Sequence, residues 1–202
     1  MATIDEQLDR AQARQQLIAV YNFVDEETFS VGYVLQQDET HVLLKVIDPN
    51  GSINGLQLIS KAFIDRVVMR SDYLRSSEVW QHVAETNGYA DPWHLATTQQ
   101  HLTLTPTKLM TSLLRDALQQ KLIVNLGTIR QLEDAEVEDA SFTGFVGDYV
   151  GEVVALNYLD PWNLTDAWQI DIEVSAISYV RVGAGECVKM QALMEQYTDE
   201  TF

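Results

Sequence analysis

Alternating apolar and polar positions divide much of the chain into short strands. In residues 41–47, Val42, Leu44 and Val46 recur at every second position, which is typical of a strand with one buried face. The turn-forming pair Asp48 and Pro49 follows directly. The same reasoning predicts two sets of five strands, at 17–23, 29–35, 41–47, 53–59 and 64–69, and at 121–129, 142–150, 152–159, 167–172 and 177–182.

Helical spacing of apolar residues occupies the remaining segments. Thr3 followed by Glu6 is a capping box, and Leu8 and Ala11 then fall on one helical face. Similar signals place one helix before each set of strands, others between the sets and one at the end, at 3–16, 77–86, 91–100, 105–120 and 187–196.

The two sets of strands are copies of one pattern. Six residues recur 112 positions later: Gly32, Val34, Val42, Leu44, Asp48 and Pro49 as Gly144, Val146, Val154, Leu156, Asp160 and Pro161. Further on, the spacing becomes 113, as for Ile59 and Ile172. Before the strands, Leu17 and Ile18 match Leu122 and Ile123. The repeat predicts a first unit at 1–75, a helical connector at 76–104 and a second unit at 105–202.

Short strands joined by tight turns favour antiparallel pairing, because a parallel crossover needs a dozen or more residues. Five such strands can also close on themselves, which removes exposed edges. The fold class predicted is therefore mainly β with α: two tandem five-stranded antiparallel small barrels, each preceded by a helix, with additional helices between them and at the C-terminus.

One motif resembles a known family. Gly32 stands in a predicted strand with the apolar Val34 two places on and Asp38 six places on. With a helix, five short strands and a glycine of this kind in the second strand, each copy resembles the Sm-like family of small β-barrels, and in the first copy Asp38 extends the resemblance. The resemblance implies an Sm-like barrel over residues 3–70 and 106–182, edge-to-edge association through the fourth and fifth strands, and RNA as a ligand.

The family's RNA-contacting positions are replaced in this chain. Val42 and Val154 stand where an asparagine is expected, and Val150 stands where the second copy would repeat Asp38. The arginine-glycine pair between the fourth and fifth strands is absent as well. The resemblance therefore implies the fold and argues against uridine recognition.

The chain is strongly acidic, with a formal net charge of −17. Phosphate binding draws on lysine and arginine, so this charge disfavours nucleic acid. A divergent RNA-binding protein nevertheless remains an alternative, and Lys61, Arg66 and Arg70 are its candidate contacts.

Aromatic residues suggest a second kind of surface. Trp162 falls in a predicted turn, where a large aromatic side chain is exposed unless it meets a partner. Together with Tyr149 and Tyr158 it forms a candidate contact patch. Packing of Trp162 over the end of a barrel is the alternative.

Catalytic and metal-binding patterns are weak. His82, His94 and His101 are spaced twelve and seven residues apart, whereas two ligands on one helix face are three or four apart. Asp48 and Asp160 each precede proline, where aspartate normally caps its own turn. We predict no enzyme, no cofactor and no metal site, with an uncharacterised metal-dependent enzyme as a second alternative.

Cys187 is the single cysteine and cannot form a disulfide within the chain. The chain also carries no apolar run long enough for a bilayer and no signal-peptide pattern. These observations predict a non-enzymatic cytoplasmic binding or assembly module, without membrane contact, whose partner is another protein or a second copy that joins at barrel edge strands.

Overall fold

The computed structural model describes residues 2–25, 27–131, 137–163 and 168–200. Within them, ten strands form one antiparallel sheet. The strands are β1 (Leu17–Tyr21), β2 (Ser30–Gln37), β3 (His41–Ile47), β4 (Ile53–Ser60), β5 (Arg66–Val68), β6 (Ile123–Gln131), β7 (Val137–Val150), β8 (Val153–Tyr158), β9 (Trp168–Glu173) and β10 (Ile177–Val182). Residue 167 of the predicted ninth strand, and the acidic residues Glu133, Asp134 and Glu136 between the first two predicted strands of the second set, lie outside the described residues.

Five helices accompany the sheet in the described part of the chain: α1 (Ile4–Arg14), α2 (Asp72–Thr86), α3 (Leu95–Gln100), α4 (Leu109–Gln120) and α5 (Gly185–Glu200). The capping box predicted for α1 is confirmed, since Thr3 and Glu6 exchange side-chain-to-backbone hydrogen bonds. α3 and α4 begin four residues later than predicted, so Pro92 and Pro106 lie before them.

The order of the strands across the sheet is β5-β1-β2-β3-β4-β10-β6-β7-β8-β9. The prediction of two separate five-stranded barrels is therefore wrong. The sheet is open, and β4 of the first half pairs with β10 of the second. In a closed barrel, the backbone groups of β4 and of β10 would each find hydrogen-bond partners within their own half. Here the two strands bond to each other. Alternation along a strand fixes its faces but leaves its neighbour unspecified.

The halves nevertheless repeat each other in detail. The β2–β3 ladder has a bulge between Val34 and Gln36, and the β7–β8 ladder has one between Val146 and Asp148, 112 residues later. Short 3₁₀ turns at Lys61–Phe63 and Val174–Ala176 precede β5 and β10. The repeat thus extends to irregularities of the backbone.

Gly32 and Gly144 have one steric role. A Cβ atom on Gly32 would overlap the carbonyl oxygen of Lys45, and one on Gly144 would overlap that of Asn157. Both carbonyl groups belong to the third strand of their half. Close approach of two backbones, rather than a left-handed conformation, is what requires glycine at these positions.

At the start of the repeat, the structure aligns the two copies differently, by one residue, from the sequence match of Leu17 with Leu122. α1 and α4 both end at a residue in the left-handed conformation, Gln15 and Lys121, which are 106 residues apart. Ile18 faces Gly32, as Val124 faces Gly144. The correct spacing here is 106, because burial in the core aligns Val124, and not Ile123, with Ile18.

The two largest apolar cores among the described residues lie against the sheet. The first core contains α1 and one face of the first half, with residues Leu8, Ala11, Ile18, Val20, Val34, Val42, Leu44, Val46, Ile59, Ile64, Val67 and Tyr179. The second core contains α3, α4 and the second half, and it also takes in Leu43, Leu56 and Leu58 of the first half. The two halves therefore share apolar packing as well as a sheet.

α2 and α5 cover the outside of their halves in equivalent ways. They begin 113 residues apart, at Asp72 and Gly185. Leu74 of α2 packs against β1, and Cys187 of α5 occupies the equivalent place against β6. The cysteine is 3% exposed and lies in the first turn of α5.

Candidate functional site

One outer edge of the sheet has an unusual surface. β9 pairs with β8 on one side and with no described strand on the other. Ile170 and Ile172 face the second core. The alternate positions, Gln169, Asp171 and Glu173, are exposed. β9 is thus an open strand with an apolar inner row and an acidic outer row.

Large apolar side chains lie near both ends of this strand. Trp168 is 59% exposed at its start, and Val150 and Val153 are 68% and 40% exposed at the hairpin beside Glu173. Exposed apolar groups of this size are common at protein–protein contacts. They extend the potential contact surface beyond β9 itself.

The opposite edge, β5, is only three residues long, and the predicted basic contacts lie on it or beside it. Lys61 is paired with Asp5 at 2.8 Å and its side chain is only 14% exposed. Arg66 lies over the ring of Tyr21, with its guanidinium carbon 3.9 Å from the centroid. Arg70 follows β5 and is exposed. Lys61 is neutralised by its partner, and RNA binding by this group stays a prediction.

Two residues of the predicted aromatic patch, Tyr149 and Tyr158, lie at different positions along the β7–β8 ladder. Tyr149 pairs with Val154 and packs on the second core, whereas Tyr158 pairs with Gly144. Val154 and Tyr158 are four positions apart on β8, which corresponds to about 13 Å along a strand. Trp162 is 93% exposed in the turn after Tyr158, and Asp160 accepts its backbone N–H there.

A cavity of about 310 Å³ lies between α5, the middle of β7 and the end of β8. Tyr158 and Pro161 form one wall, and Lys189 and Met190 of α5 form another. The cavity is mostly apolar. No catalytic arrangement of side chains lines it among the described residues.

Asp38, the aspartate of the family-like motif, has a structural role. Its carboxylate is 6% exposed and accepts backbone N–H groups from Thr40 at 2.9 Å, His41 at 2.7 Å and Leu109 at 2.8 Å. Burial raises the pKa of Asp38, but these hydrogen bonds and the charge of His41 outweigh it, so its pKa is lowered. The residue joins the β2–β3 turn to the start of α4.

The histidines do not form a metal site in the described part of the chain, where no group of three or more potential ligands is arranged around a point. His82 lies on α2, His94 caps the start of α3, and His101 follows its end. Asp48 and Asp160 accept backbone N–H groups within their own turns, as predicted.

No protein-family model, curated protein or solved structure matches this chain. The resemblance to the Sm-like family therefore stays a prediction from sequence. No described helix is at once long and apolar enough to cross a bilayer.

Sequence reasoning missed the acidic edge, although the repeat contained a signal for it. At a spacing of 113, Leu56 and Leu58 of β4 correspond to Gln169 and Asp171 of β9. The fourth strand of the first half is therefore apolar where that of the second is polar. A position-by-position comparison of the copies would have marked β9 as the strand with a different partner.

Proposed function

We propose that this chain is a non-enzymatic protein-interaction module that binds an extended, basic segment of a partner protein as an added strand along β9. The observation that carries the proposal is the open six-residue edge with its exposed acidic row. Strand addition supplies affinity through main-chain hydrogen bonds and specificity through alternate side chains.

The charges support a basic partner. Asp171 and Glu173 lie on one face of β9, and the chain as a whole carries a net charge of −17. Oppositely charged cross-strand pairs contribute about 0.2–1 kcal/mol each, and a net field of this sign accelerates encounter with cationic segments. Lysine or arginine at alternate positions of the partner would face this row.

A second copy of the chain is a poorer occupant of β9. In the β4·β10 ladder, Leu58 faces Val180. The same register between β9 and the β5 strand of another copy would place Asp171 opposite Val67, which belongs to the first core. Burial of an unpaired carboxylate there is unfavourable. This comparison favours a heterologous partner over self-association.

We assign this function to the cytoplasm as part of the same proposal. The single cysteine is buried and the fold holds no disulfide among the described residues. A fold that is stable without disulfides suits a reducing compartment.

A synthetic peptide of alternating valine and lysine tests the proposal. We expect the fluorescein-labelled peptide to bind the whole chain with increased anisotropy in 0.15 M salt and to alter tryptophan emission through Trp168. Asp171→Lys should weaken binding by about tenfold, which corresponds to about 1.4 kcal/mol. Glu78→Lys, which makes the same charge change on α2, should have little effect.

Two further peptides separate strand addition from charge alone. A peptide with N-methylated valines keeps the lysines but loses backbone donors, so it should not bind. Replacement of lysine by glutamate should also abolish binding. Equal weakening by Asp171→Lys and Glu78→Lys, or full binding of the N-methylated peptide, would show adsorption to an acidic surface and would overturn the proposal.

A further inference from the structure

The junction between the halves has two rows of side chains. On one side of the sheet, Leu56 faces Val182 and Leu58 faces Val180, and all four lie in the second core. This row is fully apolar. It stabilises the junction through burial but distinguishes poorly between apolar partners.

The other row contains a buried polar pair. Gln57 is completely buried, and its Oε1 accepts from Nε of Arg181 at 3.2 Å. Arg181 also lies over the Tyr179 ring at 4.9 Å and contacts Glu186 at 3.5 Å. Without this donor, the buried Oε1 of Gln57 would have one hydrogen bond fewer, which is unfavourable. Gln57 therefore favours a strand that presents arginine opposite it.

Inside the first half, the polar group continues. Ser30 Oγ lies 3.0 Å from Gln57 Oε1 and 3.2 Å from Asn22 Oδ1. A single hydroxyl proton serves one acceptor, so Ser30 bonds fully with Asn22 only if the Asn22 amide presents its NH₂ group. Nε2 of Gln57 has no protein partner among the described residues. This group thus depends on Arg181 for much of its satisfaction.

The second half lacks this polar group. At the repeat spacing, Ile170 of β9 replaces Gln57, and Val68 of β5 replaces Arg181. A β4·β5 pair between copies would set Gln57 against Val68. A β9·β10 pair would set Asp171 against Val180. A fourth strand, β4 or β9, can pair with a fifth strand, β5 or β10, in four ways. Of these, β4·β10 alone places apolar residues opposite each other in one row and polar residues opposite each other in the other row.

We infer that Gln57 with Arg181, and Asp171 on β9, restrict fourth-to-fifth strand pairing to the junction inside one chain. Gln57 makes β4 selective for β10. Asp171, with Gln169, prevents β9 from joining β5 of another copy. These residues thereby hold the chain at two halves per sheet and leave β9 open. The inference rests on the junction and is independent of what β9 binds.

The acidic edge is tested by a gain of assembly. The double variant Gln169→Leu, Asp171→Leu reproduces the row formed by Leu56 and Leu58. We expect light scattering to give the 22.8 kDa monomer for the unmodified chain and larger, concentration-dependent species for the variant. The control variant Glu85→Leu, Gln99→Leu also replaces one carboxylate and one amide side chain, at exposed helical positions, and should remain monomeric.

Either of two results would overturn this part of the inference. One is a variant that stays monomeric at all concentrations. The other is equal assembly by the control, because that would reflect added surface leucine rather than a matched strand edge.

The polar pair is tested by a double-mutant cycle. Gln57→Ile and Arg181→Val should each lower the urea midpoint of unfolding, because each leaves a polar partner unsatisfied. The combined variant should recover most of the midpoint. It should also form oligomers in which strands of different chains pair. This is expected because β4 then resembles β9, and β10 then resembles β5. Additive midpoint losses, or a combined variant as strictly monomeric as the unmodified chain, would contradict the assigned role.

Discussion

At the scale of single residues, Asp38 connects parts of the chain that are 71 positions apart. Its carboxylate caps the first backbone N–H of α4 and also fixes the β2–β3 turn. Val150 occupies the equivalent position in the second half and is 68% exposed. The aspartate is therefore explained by the helix that it caps, and no ligand needs to be invoked.

Asp38→Ala should destabilise the protein by about 2–3 kcal/mol, because it removes a helix cap and two turn hydrogen bonds together. Urea unfolding followed by circular dichroism measures this loss. Asp148→Ala is the control, since Asp148 is exposed and its carboxylate, among the described residues, accepts only from Tyr149 next to it. That variant should change stability by less than about 0.5 kcal/mol. Equal losses in both would refute the capping role.

The same residue predicts a dependence of stability on pH. The folded pKa of Asp38 is lowered, so the unfolded chain binds the proton more tightly. Its contribution is complete above the unfolded pKa of about 3.9 and is lost as pH falls through the folded value. Burial lowers the pKa of His41, despite the opposing charge of Asp38, so His41 adds a loss of stability as pH falls below the ordinary histidine pKa of about 6.5. In the variant Asp38→Asn, the free energy of unfolding should therefore depend less on pH in the acidic part of this range, below the unfolded pKa of Asp38.

At the scale of elements, both helices that precede a set of strands end in a strained residue. Gln15 and Lys121 have φ values of 48° and 53°, where a side chain costs about 1 kcal/mol relative to glycine. Gln15→Gly and Lys121→Gly should each raise the free energy of unfolding by about 0.5–1 kcal/mol. Alanine at either position should give no such gain, and a gain with alanine would show that strain is not the cause.

The sequence predicted elements far better than their arrangement. The capping box of Thr3 and Glu6 and the turns at Asp48 and Asp160 involve neighbours within four residues. Their roles could therefore be predicted from the sequence. The pairing of β4 with β10 depends on residues such as Gln57 and Arg181, which are 124 positions apart. The apparent match of Leu17 with Leu122 was also misleading by one residue, because two adjacent apolar positions can satisfy either face of a strand.

The open edge at β9 was hidden for the same reason. The alternation of Ile170 and Ile172 with polar residues is the same pattern that any half-buried strand shows. Only the contrast between Asp171 and its counterpart Leu58 shows that the two fourth strands have different surroundings.

At the scale of the whole molecule, the shared second core predicts one unfolding transition. Leu43, Leu56 and Leu58 of the first half pack with α4 and the second half. Cys187 reports on the second half, because burial raises the pKa of its thiol to about 12 and it should react with thiol reagents only after unfolding. Amide hydrogen exchange in residues 30–37 reports on the first half. The two probes should share one urea midpoint, whereas separate midpoints would show independently stable halves.

The two-sided burial of β10 has a consequence for any shortened form of the chain. Val180 and Val182 lie in the second core, and Tyr179 of the same strand lies in the first. A chain shortened to either copy would lose part of a core as well as a sheet neighbour for β4 or β10. We therefore expect neither copy to fold by itself, although the sequence is a repeat.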